Sequence, residues 1–124
     1  MKFRFARHTN NLEKLINFYV SNLGFELLGK FENHDGYNGA FLGKQNENWH
    51  IEFTQNNEIV NQTFDDDAIL VFYPENKLEF DLLINKITKN NIQFIEAKNP
   101  YWNHNGKMLL DPDGYRIVIS NFNI

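Results

Sequence analysis

Apolar and polar side chains alternate in some stretches of the chain and recur with helical spacing in others, and these two patterns predict an order of elements. In the first half, a strand, a helix and three further strands follow one another, at residues 3–8, 12–23, 25–31, 37–43 and 49–54. Asn10 or Asn11 precedes the helix as a cap, and Gly24 stands where a left-handed stop is expected. The first half is therefore predicted to be one β-α-β-β-β unit.

The same order of elements returns in the second half of the chain. A strand, a helix and three strands are predicted at residues 68–73, 75–89, 92–97, 107–110 and 115–120. The two halves align with a shift of about 66 residues, although their sequence identity is low. Residues 56–67 are polar, contain three consecutive Asp and predict a surface linker. We therefore expect one α+β domain of two tandem β-α-β-β-β modules, residues 1–55 and 68–124.

The segment Asp-Pro-Asp-Gly at residues 111–114 predicts a tight turn between two apolar strands. Pro112 presets φ for the first turn position, and Gly114 accepts a positive φ. The run Ile117-Val118-Ile119 after it predicts a buried strand.

Each amphipathic helix must cover one face of its sheet, and the opposite faces, if the strands curl, would form a concave trough shared by the modules. Alternation along the strands assigns side chains to the two faces. The helix-facing set is Phe3, Phe5, Ile51, Phe53, Ile117 and Ile119, and the trough-facing set is Arg4, Ala6, His8, His50, Glu52, Thr54, Arg116, Val118 and Ser120.

Composition narrows the functional classes. The chain has 124 residues, which fits one domain, and its 12 Phe suggest a core or pocket wall rich in rings. The formal net charge is −4 with scattered Lys and Arg, which argues against nucleic acid as a partner.

No apolar run approaches the roughly 18 residues of a membrane span, and no signal peptide is evident, so we expect a cytoplasmic protein. With no cysteine, disulfides, thiolate metal sites and thiol nucleophiles are excluded.

Three segments together resemble the vicinal oxygen chelate superfamily, which includes glyoxalases, bleomycin-resistance proteins and extradiol dioxygenases. TNNLEKLINFYVSNLGFELL is similar to its first helix and following strand, WHIEFTQ to a strand that carries a metal-ligand Glu, and DPDGYRIVI to its closing hairpin. The resemblance covers nearly the whole chain. It implies paired β-α-β-β-β modules, a homodimer and, in the metal-using members, a divalent cation held by His and Glu from four strands.

The four ligand positions that the resemblance implies fall on Arg4, on Glu52, near Ile69 or Leu70, and on Val118. Only Glu52 offers a lone pair to a cation, and Arg4 adds a permanent positive charge. We therefore expect no metal at the family position, and no usual glyoxalase or dioxygenase chemistry.

The polar residues of the predicted trough face allow alternative interpretations. His8, His50 and Glu52 together would make a two-histidine, one-carboxylate set that could hold a divalent metal, whereas the simpler interpretation is that both histidines are ordinary hydrogen-bonded side chains. Arg4 and Glu52 form either a structural ion pair or a ligand site in which Arg4 binds a carboxylate or phosphate.

Tyr101 and Trp102 lie in a predicted loop before the seventh strand. They either pin that loop to the core or form the aromatic wall of a pocket mouth. The leading hypothesis is a protein that binds or sequesters an unknown small molecule without metal. The alternatives are a metal-dependent lyase, isomerase or dioxygenase with a rearranged site, and a protein-protein interaction module.

Overall fold

The computed structural model describes residues 1–122, and the chain divides into two compact units, Met1–Gln62 and Thr63–Ile124. The elements are, in chain order, β1 (Phe3–His8), α1 (Leu12–Leu23), β2 (Glu26–His34), β3 (Tyr37–Gly43), β4 (Trp49–Gln55), β5 (Ile69–Phe72), α2 (Lys77–Lys89), α3 (Pro100–His104), β6 (Gly106–Leu110) and β7 (Arg116–Ser120). The expected α+β class is confirmed.

The first unit is a four-stranded sheet with one face covered by α1. The strand order is β1-β4-β3-β2, with β1 parallel to β4 and the other neighbours antiparallel. Asn11 caps α1 by accepting a hydrogen bond from the Lys14 amide, and Gly24 ends it in the left-handed conformation, as the sequence predicts. Tyr19 of α1 packs on Phe53 of β4, and both are fully buried. Phe53 is therefore on the α1 side of the sheet, and its chain neighbours Glu52 and Thr54 point to the opposite side.

The second unit is a three-stranded sheet of order β5-β7-β6, with β5 parallel to β7. Asn76 caps α2, whose buried residue is Ile87. The turn at 111–114 joins β6 to β7 as predicted. The Asp111 carboxylate accepts hydrogen bonds from the amides of Asp113 and Tyr115, and Gly114 has a φ of 84°.

One predicted strand is wrong. Residues 92–97 form no strand, and an isolated bridge between Ile95 and Met108 is what remains of the pairing. The side chain of Asn103 accepts from the Ala97 amide and donates to the Ala97 carbonyl. Because Asn103 satisfies both backbone groups of Ala97, the chain needs no strand partner there. Asn103 belongs to the short helix α3, which lies where the sequence predicts a loop before the seventh strand.

The predicted linker is divided between the two units, and each part of it is bonded within its own unit. The Asn10 side chain exchanges two hydrogen bonds with the backbone of Val60, and Asp66 pairs with Arg116 at 2.6 Å. The division between the units falls inside this segment. Within residues 1–122, no helix is long and apolar enough to cross a membrane.

Candidate functional site

Arg4, His50 and Glu52 meet on the face of the first sheet that α1 does not cover. Arg4 of β1 pairs in register with His50 of β4, and Glu52 follows two residues later on the same side. Arg4 Nε donates to His50 Nε2 over 2.7 Å, and Arg4 Nη1 lies 3.6 Å from Glu52 Oε1. The predicted ion pair between Arg4 and Glu52 is therefore present, with His50 as a third member.

Aromatic rings form the floor beside this cluster. The guanidinium carbon of Arg4 lies 4.8 Å from the centre of the Phe41 ring, and Phe41 contacts the rings of His50 and Phe31. Gly39 lies opposite Phe31 on the neighbouring strand. A Cβ on Gly39 would come 2.2 Å from the Phe31 ring. The absence of a side chain at Gly39 lets Phe31 lie across the sheet. We call the group Arg4, Phe31, Phe41, His50 and Glu52 the Arg4 face.

Neither phenylalanine of the Arg4 face is among the site residues that the sequence predicts. The 12 Phe predict a core or pocket wall rich in rings, but they do not show which of these rings face the site. What was missing was the pairing of β3, which sets Phe41 opposite Glu52.

His8 is engaged separately. Its Nδ1 lies 2.9 Å from Thr54 Oγ1, and its Nε2 lies 3.2 Å from Asn56 Oδ1. An amide oxygen accepts only, so Nε2 donates to Asn56, and in the neutral ring Nδ1 accepts from the Thr54 hydroxyl. Both ring nitrogens of His8 are therefore used within the protein.

These bonds do not fit a divalent metal. A histidine binds a metal through a ring lone pair, but the Nε2 lone pair of His50 faces the Arg4 N–H, and both His8 nitrogens have partners. Within residues 1–122, His8, His50 and Glu52 are not gathered into a group of three that could hold a metal, and no other such group of His, Cys, Asp or Glu is found.

The remaining ligand positions of the resemblance lie in the second unit and are apolar. Val118 is fully buried and packs with Ala97 and Met108. Ile69, Val71 and Trp102 cover this cluster. Trp102 therefore pins α3 to the core, while its neighbour Tyr101 stays 47% exposed and contacts Trp102 edge to face.

A cavity of about 480 Å³ also opens in the second unit. Its lining comes from the start of α2, the end of α3 and the end of β7, and it consists of Pro74, Asn76, Lys77, Phe80, Asn105, Ser120, Asn121 and Phe122. Ser120 belongs to the predicted trough-facing set, but none of the candidate ligand-binding residues lies in this cavity.

Comparison with known proteins points to one family. Residues 3–54 match the YycE-like N-terminal domain, and residues 67–121 match the YycE-like C-terminal domain. The uncharacterised protein YycE of Bacillus subtilis is 36% identical over 121 residues, which cover 97% of this chain and 87% of that protein.

Solved structures include a member of the same family and more distant proteins with a similar fold. A crystal structure of a Bacillus subtilis YycE protein of unknown function, named as a candidate glyoxalase/fosfomycin resistance protein, superposes with a TM-score of 0.89 at 35% identity, covering 99% of this chain and 90% of that one. Leishmania major glyoxalase I has a TM-score of 0.73 at 21% identity, covering 95% and 84%. The fosfomycin resistance protein FosX of Mesorhizobium loti has a TM-score of 0.70 at 9% identity, covering 98% and 90%. Because these last two proteins share so little sequence with this chain, they show a similar fold and nothing more.

Proposed function

Because the chain belongs to the YycE-like family of the vicinal oxygen chelate superfamily, we propose that it binds a small organic molecule at the Arg4 face without a divalent metal. The observation that carries the proposal is the hydrogen bond from Arg4 to His50. It places a permanent cation where the superfamily resemblance puts the first metal ligand, and it occupies the lone pair of the nearest histidine.

Two features of the Arg4 face support the proposal. Polar groups with fixed directions stand beside apolar rings, which is the usual make-up of a ligand pocket lining. The side chain of Arg4 is 49% exposed and that of Glu52 is 15% exposed, so the guanidinium is the more accessible of the two charged groups.

The competing function is a metal-dependent lyase, isomerase or dioxygenase that uses His8, His50 and Glu52. It would require His50 to release Arg4 and His8 to release Thr54 or Asn56, because each nitrogen must present a lone pair to the metal. The structure offers no other histidine or acidic group in residues 1–122 that completes the set.

Elemental analysis of the purified protein tests the proposal directly. We expect Ni, Zn, Mn and Fe well below one equivalent in the wild type, and the same values in His50→Ala and Glu52→Gln. One equivalent of any of these metals, lost in either variant, would instead support the enzyme. A thermal-shift screen of small molecules with and without EDTA provides the second arm, in which stabilisation by a ligand should not depend on EDTA.

The assembly and location stay predictions. A homodimer is implied by the resemblance, and light scattering after size-exclusion chromatography tests it. Fractionation of the source cells tests the expected cytoplasmic location.

A further inference from the structure

We propose that the ligand of the Arg4 face carries an oxyanion, such as a carboxylate, attached to an apolar group, and that the Arg4 guanidinium binds it. This inference rests on the proposed function and names the ligand class for the same site. Arg4 would thus supply the positive charge that, by the superfamily resemblance, a divalent cation supplies in the metal-using members.

The contacts of Arg4 leave part of its guanidinium available. Nε is used by His50, Nη1 faces Glu52, and the flat side lies on Phe41. Among residues 1–122, the Nη2 group has no hydrogen-bond or ion-pair partner. A guanidinium held on three sides is preorganised, so a ligand that binds Nη2 does not have to order a mobile side chain.

The distance to Glu52 argues that Arg4 is not saturated by its carboxylate. At 3.6 Å, the contact between Arg4 Nη1 and Glu52 Oε1 is longer than the 2.7–2.9 Å of a charge-assisted hydrogen bond. Glu52 therefore lowers the local positive charge without accepting a close hydrogen bond from the guanidinium. Removing the Glu52 charge should strengthen anion binding.

The rings of the Arg4 face define the rest of the ligand. Phe31 and Phe41 are partly exposed and contact each other with ring centres 5.9 Å apart. An apolar group joined to the oxyanion would cover these rings while its charged end reaches Arg4. A free inorganic anion would lack that contact and should bind more weakly.

Benzoate and benzamide are the probes that test the inference, because they share a ring and differ in charge. In a ¹H–¹⁵N NMR titration of the full chain, we expect benzoate to shift the amides of β1, β3 and β4 saturably, and to bind at least about tenfold tighter than benzamide. The apparent Kd for benzoate should rise with salt. Acetate tests the contribution of the ring and should bind more weakly than benzoate.

Variants locate the effect. Arg4→Gln should weaken benzoate binding about tenfold or more and leave benzamide unchanged. Glu52→Gln should strengthen benzoate binding about two- to fivefold. Lys86→Gln removes one positive charge from an exposed position on α2 and should have no effect.

The outcomes separate the two proposals. Equal binding of benzoate and benzamide at the Arg4 face, or unchanged benzoate binding in Arg4→Gln, overturns the oxyanion inference and leaves the proposed function standing. If no probe or screened compound shifts the β1, β3 and β4 amides, the proposed function fails as well.

Discussion

Arg4 and His50 are joined side chain to side chain by a 2.7 Å hydrogen bond from Nε to Nε2, between register partners on parallel strands. A guanidinium only donates, so Nε2 must present its lone pair. The ring proton of a neutral His50 is then on Nδ1.

Replacing Arg4 should change the His50 tautomer. At about pH 8, where an ordinary histidine is neutral, long-range ¹H–¹⁵N spectra should show the Nδ1–H form of His50 in the wild type. Arg4→Leu removes the donor and should let the Nε2–H form appear. The exposed His104 serves as the internal reference, and an unchanged His50 pattern in the variant would contradict the bond.

Arg4→His should create a metal site. The substitution removes the permanent cation, frees the lone pair of His50 and adds a second imidazole beside Glu52, which gives three ligands on adjacent strands. We expect Zn²⁺ to raise the Tm of Arg4→His by several degrees and to leave the wild type unchanged. Arg4→Leu is the matched control, because it lacks the new ligand. A Zn²⁺-dependent shift in the wild type would count against the proposal that the Arg4 face binds its ligand without a metal.

Val118→Glu should destabilise the protein rather than restore a ligand. Val118 is fully buried against Ala97 and Met108, so the carboxylate would lose its hydration among apolar side chains. We expect a loss of about 3 kcal/mol or more in the free energy of unfolding, measured by urea denaturation. Val118→Ala serves as the size control, with a smaller loss. Wild-type stability of Val118→Glu would show that this position is open to water.

Gly39→Ala should disturb the aromatic floor. The added Cβ would come 2.2 Å from the tip of the Phe31 ring, which must move. Because the ring is partly exposed and can swing outward, we expect a cost of about 1 kcal/mol. At Gly43 the nearest atoms are 3.4 Å from a built Cβ, so Gly43→Ala should cost less. Unfolding midpoints and the NMR shifts of Phe31 and Phe41 distinguish the two variants. Equal effects would contradict the described packing.

Asp111 should be required for the closing turn. Its Oδ1 accepts from two amides, and Asp111→Ala leaves these donors without their partner at a buried position, costing about 1–3 kcal/mol. Asp111→Asn keeps an accepting oxygen and should retain more of the stability. Urea denaturation gives the loss in the free energy of unfolding for each variant. A loss in Asp111→Asn as large as that in Asp111→Ala would contradict a role for these two hydrogen bonds.

Much of the fold could be predicted because its signals are local. Gly24 ends α1, and the residues 111–114 make the predicted turn, since each depends on the φ preference of one or two residues. The strand predicted at 92–97 failed for a non-local reason. Apolar alternation made it plausible, but the Asn103 side chain took the backbone bonds of Ala97.

The sequence by itself determined the α+β class, the superfamily and the order of the elements apart from the strand predicted at 92–97 and the short helix α3, because these depend on residue type and spacing. Only the tertiary structure decided what the polar residues do. Strand pairing brought Arg4 to His50 and Glu52 and set Phe41 beneath the guanidinium, and it gave His8 its own partners. Such contacts join residues roughly 40 to 50 positions apart, whose distance is set by register and packing rather than by spacing along the chain.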